Sequence, residues 1–139
     1  MSTEAVPLPA QDRRTLLSTA WIFLAANYIF CDVLSLMEPS AARDLLAGRI
    51  GSIQVNQGFL LASAVLMEIP FAMIILTRLL AYRPGRWANL GSALLMALVQ
   101  VATLNLGTGP TLHYLFFSAV EISCALAIAW TAWSWRPSA

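Results

Sequence analysis

The sequence predicts an all-α protein: a bundle of four transmembrane helices, with a short interfacial helix between the first and the second. Of the 139 residues, 59% are hydrophobic and 11% are charged, whereas a soluble domain carries roughly 45–50% apolar and about 25% charged residues. The apolar residues form four runs of about twenty, long enough for a helix to cross a ~30 Å hydrocarbon layer. This composition excludes a soluble enzyme, a disordered chain and a disulfide-stapled secreted module.

The elements follow from these runs in chain order. Residues 1–14 are polar and predict a short cytoplasmic tail, and residues 15–136 predict one membrane domain. The predicted spans are 16–37, 55–80, 87–106 and 112–135. Between the first two spans, Ser40 is a candidate N-cap for an amphipathic interfacial helix over 40–52 that ends near Gly48. Turns are expected at 82–86 and 107–110.

Arginine placement predicts the orientation, because cytoplasmic loops carry the excess of basic residues. With the amino terminus inside, the inner side holds Arg13, Arg14, Arg78, Arg83, Arg86 and Arg136, and the outer side holds Arg43 and Arg49. Both termini are therefore predicted to be cytoplasmic, in a bacterial inner membrane. An aromatic belt near the inner face is expected from Trp21, Trp87, Trp130, Trp133 and Trp135. The net charge of +1 argues against a nucleic-acid partner.

A faint internal repeat links the second and fourth spans. Glu68 precedes Arg83-Pro84 by fifteen residues, and Glu121 precedes Arg136-Pro137 by the same fifteen. A duplicated pair of hairpins would produce this spacing. Chance similarity between two apolar helices is the alternative.

Three carboxylates lie inside the predicted spans: Asp32, Glu68 and Glu121. The chain has no lysine, and no arginine lies at their depth. Helical rise places Asn27, Gln100, Glu68 and Glu121 in one layer ~20–22 Å above the inner arginines, with Asp32 about one turn nearer the outside. Ionisable residues at membrane depth usually face the protein interior. We therefore expect these groups to converge inside the bundle.

Such a layer has two interpretations. The candidate site residues are Asp32, Glu68, Glu121, Asn27, Gln100, Tyr28 and Tyr114. Protonated acids hydrogen-bonded to the amides and hydroxyls would act only to hold helices together. The interpretation favoured here is a proton-linked pocket for a small ligand or cation, because a buried carboxyl without a basic partner either keeps its proton or binds a cation.

Three further features refine this interpretation. Pro70 follows Glu68 by two residues and is expected to kink the helix and open a cavity beside the acid. His113 begins the fourth span and is either a pH-responsive entrance or an ordinary interfacial histidine. Cys31 and Cys124 lie alone in apolar runs and His113 is the only histidine, so neither a metal nor a cofactor is expected.

Several short stretches carry a resemblance to known proteins. They are Trp21-Ile22-Phe23, 29–35, 57–61, Glu68-Ile69-Pro70, 86–89, Leu112-His113-Tyr114 and Glu121. Over about residues 15–135 the chain resembles an uncharacterised family of small bacterial four-helix membrane proteins. Asp32 and Glu68-Ile69-Pro70 also resemble the emopamil-binding (EXPERA) group, in which such positions line a lipid-accessible cavity of sterol isomerases and sterol-related binders.

Three functions follow as expectations. The first is a non-enzymatic binder or transporter of a small molecule, a lipid or a cation, embedded in the lipid bilayer and able to act as a homodimer. The second, implied by the EXPERA resemblance, is a lipid- or sterol-type isomerase with two carboxyls as acid and base, or a binder of the same architecture. The third is a structural subunit whose acids are protonated and packed.

Overall fold

The computed structural model describes residues 10–106 and 109–137. Most of the predicted tail, and residues 107 and 108 of the predicted turn, lie outside these residues. The described elements are α1 (Ala10–Leu36), α2 (Pro39–Leu46), β1 (Arg49–Ile50), β2 (Ile53–Gln54), α3 (Gln57–Leu79), α4 (Tyr82–Thr103) and α5 (Leu112–Trp133). The predicted all-α class is confirmed, with one small hairpin in the connection between α2 and α3.

The four long helices form a ring in which each packs against two neighbours. α1 contacts α3 and α5, and α4 contacts α3 and α5. The two predicted hairpins, α1 with α3 and α4 with α5, are therefore both present as packed pairs. The α4–α5 interface is lined by the buried residues Ala93, Ala97, Ala125, Ala129 and Ala132. Side chains this small allow two helices to approach closely.

Three of the helices are long and apolar enough to span a membrane. They are α1 over Arg13–Leu36, α3 over Gln57–Leu79 and α5 over Leu112–Trp133. α4 is as long as α5, at 22 residues, but its polar residues lower its hydropathy. Among them are Arg83, Arg86, Asn89 and Gln100.

α4 begins five residues earlier than the predicted span, inside the segment expected to be a turn. Its helix starts at Tyr82, and the Gly85 amide donates to the carbonyl of Ala81 over 2.8 Å. Pro84 fits because the first turn of a helix does not use its amide hydrogens, so the missing N–H costs nothing there. The α3–α4 connection is correspondingly tight.

The helix in the connection between α1 and α3 is shorter than predicted. α2 ends at Leu46, and Gly48 follows with a φ of +72°, a left-handed conformation that glycine adopts without strain and that stops helices. Gly51, with a φ of +57°, then turns the chain so that Arg49 pairs with Gln54. The prediction of one helix over 40–52 is therefore wrong beyond Leu46.

Ser40 is not the N-cap of α2. The cap position belongs to Glu38, and Pro39 occupies the first helical position, where its fixed φ favours helix initiation. The Ser40 hydroxyl instead donates to a Glu38 carboxylate oxygen over 3.2 Å.

Asn56 caps the start of α3. Its side-chain oxygen accepts a hydrogen bond from the Phe59 amide over 2.8 Å. Replacing Asn56 by alanine is expected to lower the free energy of unfolding by about 1 kcal/mol, because the Phe59 amide loses its acceptor. Unfolding with sodium dodecyl sulfate in mixed micelles measures this, with Asn56→Ser as the control that keeps a capping oxygen. Equal stability of the two variants would contradict the cap.

The predicted basic end of the bundle is confirmed by its contacts. An Arg14 nitrogen donates to the carbonyl of Arg78 over 3.0 Å, joining α1 to α3, and an Arg86 nitrogen donates to the carbonyl of Trp133 over 2.9 Å, joining α4 to α5. Arg13 donates to the Ser134 hydroxyl over 3.2 Å. The arginines thus satisfy carbonyls that helix ends leave free.

The tryptophans do not form one belt. Trp87, Trp130 and Trp133 are exposed, whereas Trp21 and Trp135 are buried with 0% and 1% of their surface exposed. Trp135 folds under the bundle after α5 ends, where its carbonyl accepts the Tyr82 hydroxyl over 2.6 Å and its ring meets the Tyr82 ring edge-on. The belt prediction is therefore wrong for these two residues.

Candidate functional site

Two polar layers cross the interior of the bundle, and the first lies toward the basic end. The Trp21 indole nitrogen donates to the Asn89 side-chain oxygen over 2.7 Å, and the Asn89 amide nitrogen donates to the carbonyl of Gly85 over 2.8 Å. The Thr77 hydroxyl lies 3.0 Å from the same Asn89 oxygen and 2.6 Å from the carbonyl of Met73. This layer therefore joins α1, α3 and α4, and Asn89 has a partner for both ends of its amide.

The second layer lies in the outer half and is built around Glu121 of α5. Glu121 is 1% exposed, and neither of its carboxyl oxygens has a hydrogen-bond partner. The hydroxyl of Tyr28 on α1 is also buried without a partner, and it interacts electrostatically with Glu121. Asp32 and Cys31 of α1 interact with Glu121 in the same way. We call Glu121, Asp32, Tyr28 and Cys31 the Glu121 site.

Side chains of α4 and α5 form the wall of this site. The Gln100 amide nitrogen donates to the Ser118 hydroxyl over 2.8 Å, one turn above Glu121, and both residues are buried. The Tyr114 hydroxyl lies 3.1 Å from the Thr103 hydroxyl oxygen. These bonds hold the wall in place but leave Glu121 itself without a partner.

The outer end of the site lies where α1 ends and α5 begins. Asp32 is exposed, four residues before the end of α1. A His113 ring nitrogen lies 3.4 Å from the Ser35 hydroxyl, and the other lies 3.0 Å from the Thr111 hydroxyl. His113 therefore joins the two helices above Glu121, at the position expected of an entrance.

Glu68 does not join the other two acids. Its side chain is exposed on the outer face of α3, and Asp32 is exposed at the outer end of α1, so only Glu121 of the three acids is buried in the interior and the expected convergence of all three is wrong. The interior face of α3 is formed by Pro70, Met73 and Thr77, all buried. At about 100° per residue, Glu68 points away from that face. The spacing of three and four residues between Pro70, Met73 and Thr77 indicated in the sequence which face of α3 is buried.

The expectations attached to Glu68 change with it. α3 continues through Pro70, which is buried, so interior space beside that proline would open away from the outward-facing Glu68. Glu68 and Glu121 also occupy opposite environments, exposed and buried, so the proposed repeat does not make them structurally equivalent. The EXPERA resemblance pairs Asp32 with Glu68. These two acids do not face one interior pocket, because Glu68 points outward, whereas Asp32 interacts with Glu121.

Asn27 is half-buried, and its hydrogen bond goes to its own helix. Its amide nitrogen donates to the carbonyl of Phe23 on its own helix over 2.8 Å.

Within residues 10–106 and 109–137, no group of three His, Cys, Asp or Glu side chains is arranged to hold a metal ion.

Sequence reasoning missed Thr77 as an interior residue and took Trp21 for an interface anchor. The signal for Thr77 was its place on the buried stripe of α3, four residues after Met73. For Trp21, the only signal was its spacing of seven residues from Tyr28, about two helical turns, which places the two side chains on one face of α1; Tyr28 is also buried.

An apolar groove lies on the exposed side of α1 and α5. Its volume is about 580 Å³, and it is lined by Phe23, Phe116, Ala119, Val120, Ser123 and Cys124. The Cys124 thiol, one of the lining groups, lies 3.6 Å from the carbonyl of Ala20. The groove is open along the surface that we expect lipid to cover.

Comparison with known proteins adds a family but no activity. No curated protein matches the chain, and no solved structure matches it. The model of a family of unknown function, DUF6326, matches residues 9–139. This match covers nearly the whole chain, and the protein belongs to that family.

Proposed function

We propose that this protein is a four-span membrane protein whose Glu121 site binds a small cation in exchange for a proton. α4 is the fourth span in this proposal, because it is as long as α5 and packs against two helices that are apolar enough to cross a membrane. The arginines at one end favour a cytoplasmic position for that end and for both termini, in a bacterial inner membrane.

The observation that carries the proposal is the isolation of the Glu121 carboxyl. It is buried at membrane depth, both of its oxygens lack a partner, and an unpaired polar group in such a place is costly. In the other polar layer, by contrast, Asn89 has partners for both its oxygen and its nitrogen. A group left open in the interior is better explained by something that binds to it.

The chemistry of the site favours a cation. An ionised Glu121 offers two oxygens, the Tyr28 hydroxyl adds a third, and Asp32 supplies a second negative charge toward the outer end. The proton leaves the Glu121 carboxyl when the cation arrives and returns when the cation departs, so the charge of the site is conserved. Tyr28 and Tyr114 also present aromatic rings, which suit organic cations.

The experiment is a proton-release measurement on the full chain in nanodiscs, in weakly buffered solution with a pH indicator. The probes are sodium, potassium and tetramethylammonium ions. We expect at least one of them to release close to one proton per chain at saturation. Glu121→Gln, which cannot exchange a proton, is expected to release none.

Glu68→Gln is the matched control, because it removes the other carboxyl in the middle of a span but lies outside the site. It is expected to release protons as the unmodified protein does. The proposal is wrong if none of the three ions releases protons from the unmodified protein, or if Glu121→Gln leaves the release unchanged.

A further inference from the structure

The face of α3 that points away from the bundle carries a regular stripe. Its most exposed members are Leu61 (67%), Val65 (62%), Ile75 (60%) and Leu79 (74%). With Glu68 they follow spacings of four, three, seven and four residues, which is the pattern of a helix seam that packs against another helix. In the 18-residue apolar stretch of each helix, 11% of the residues of α3 are buried within the chain, against 39% for α1 and 33% for α5.

Glu68 lies at the centre of this stripe and at the centre of the helix. Eleven residues separate it from Gln57 and eleven from Leu79, so both ends of α3 are ~16 Å away. The side chain is exposed, and nothing in the described part of the chain hydrogen-bonds to it or pairs with it. A carboxyl facing lipid at mid-membrane is among the most costly placements for a side chain.

We propose that the α3 stripe is a homodimer interface in which Glu68 meets Glu68 of a second copy. Two copies inserted with the same orientation place equal residues at equal depth, so a two-fold axis along the membrane normal brings each stripe residue to its own counterpart. A protonated carboxyl has one donor and one acceptor and is therefore complementary to an identical group. Lipid tails offer no such partner.

The spacing of the stripe also fits packing against α3 of a second copy. Repeats of four and three residues match the crossing of left-handed helix pairs, which is the commonest geometry in membrane bundles. The Glu121 site lies on α1 and α5, so the α3 interface leaves it clear. The dimer proposal and the cation proposal are therefore independent and can fail separately.

Disulfide cross-linking in native membranes tests the interface. Leu61→Cys and Ile75→Cys are expected to form a covalent dimer of twice 15.1 kDa under mild oxidation. The controls are Leu60→Cys, which is 49% exposed on another side of α3, and Leu98→Cys, which is 67% exposed on α4. The unmodified protein, with its native cysteines on α1 and α5, sets the baseline.

Variants of Glu68 test the contribution of this residue to the interface. The dissociation constant of the dimer is measured by energy transfer between labelled copies that are diluted in lipid vesicles. Glu68→Leu is expected to raise the dissociation constant of the dimer about tenfold, because the hydrogen-bonded pair is lost. Glu68→Gln is expected to preserve the dimer, since an amide also carries a donor and an acceptor. The proposal is overturned if the unmodified protein is a monomer, or if the control cysteines cross-link as well as Leu61→Cys and Ile75→Cys do. It is also overturned if this face binds a different protein or only lipid. A Glu68→Leu dimer of unchanged affinity would overturn it too.

Discussion

Replacing Trp21 by alanine is expected to lower the free energy of unfolding by about 3–5 kcal/mol, the usual cost of truncating a fully buried aromatic side chain. Trp21 is 0% exposed in the interior of the bundle, in the polar layer nearer the basic end, and its indole nitrogen supplies one of the hydrogen bonds to the Asn89 oxygen. The substitution therefore leaves a cavity and weakens the link between α1 and α4. Reversible unfolding with sodium dodecyl sulfate in mixed micelles measures the loss.

Trp21→Phe separates the two contributions. It retains most of the ring but removes the N–H donor, and the Thr77 hydroxyl, 3.0 Å away, still reaches the Asn89 oxygen. We expect a loss of about 1 kcal/mol. Trp87→Ala is the control at an exposed tryptophan (60% exposed) and is expected to change stability by less than about 0.5 kcal/mol. Equal effects at Trp21 and Trp87 would show that Trp21 is not in the core.

Replacing Glu121 by methionine is expected to raise the free energy of unfolding by about 1–3 kcal/mol. The acid is buried with both oxygens unpartnered, and an apolar side chain of similar length removes that desolvation cost without leaving a large cavity. The same substitution is expected to abolish proton release. A more stable but inactive variant is the result typical of a residue retained for function.

The control for this prediction is Asn89→Leu in the other polar layer. Asn89 is also buried, but its oxygen accepts from Trp21 and its nitrogen donates to the Gly85 carbonyl. Its replacement is expected to destabilise the protein, because it leaves the Trp21 donor without its acceptor. If Glu121→Met destabilised the protein as much as Asn89→Leu, the acid would be part of the structural framework.

The fold followed closely from the sequence because apolar runs and arginine positions constrain it strongly. The predicted spans and the observed long helices overlap throughout, and the basic residues meet at one end as expected. The errors lie at boundaries set by local backbone chemistry. Pro84 favoured the prediction of a turn, but proline is also compatible with the first turn of α4. The left-handed conformation at Gly48 ends α2 earlier than the amphipathic pattern over 40–52 indicated.

The site was harder to predict because depth along a helix does not determine direction around it. Helical rise gave the depth of Glu68 and Glu121, yet one faces outward and the other inward. Only the packing partners decide this, and on α3 the buried stripe of Pro70, Met73 and Thr77 was not recognised. Glu121, Tyr28 and Gln100 are buried inside the bundle, and their part in a binding site stays a prediction.

The central claim is that Glu121 and Tyr28 face one another inside the bundle, and a double-mutant cycle measures this most directly. The free energy of unfolding is determined for Glu121→Gln, Tyr28→Phe and the combined variant. We predict a coupling energy of about 0.5 kcal/mol or more between the two positions, whereas Glu68→Gln combined with Tyr28→Phe is predicted to be additive within about 0.3–0.5 kcal/mol. Additive effects of Glu121→Gln and Tyr28→Phe would contradict the account.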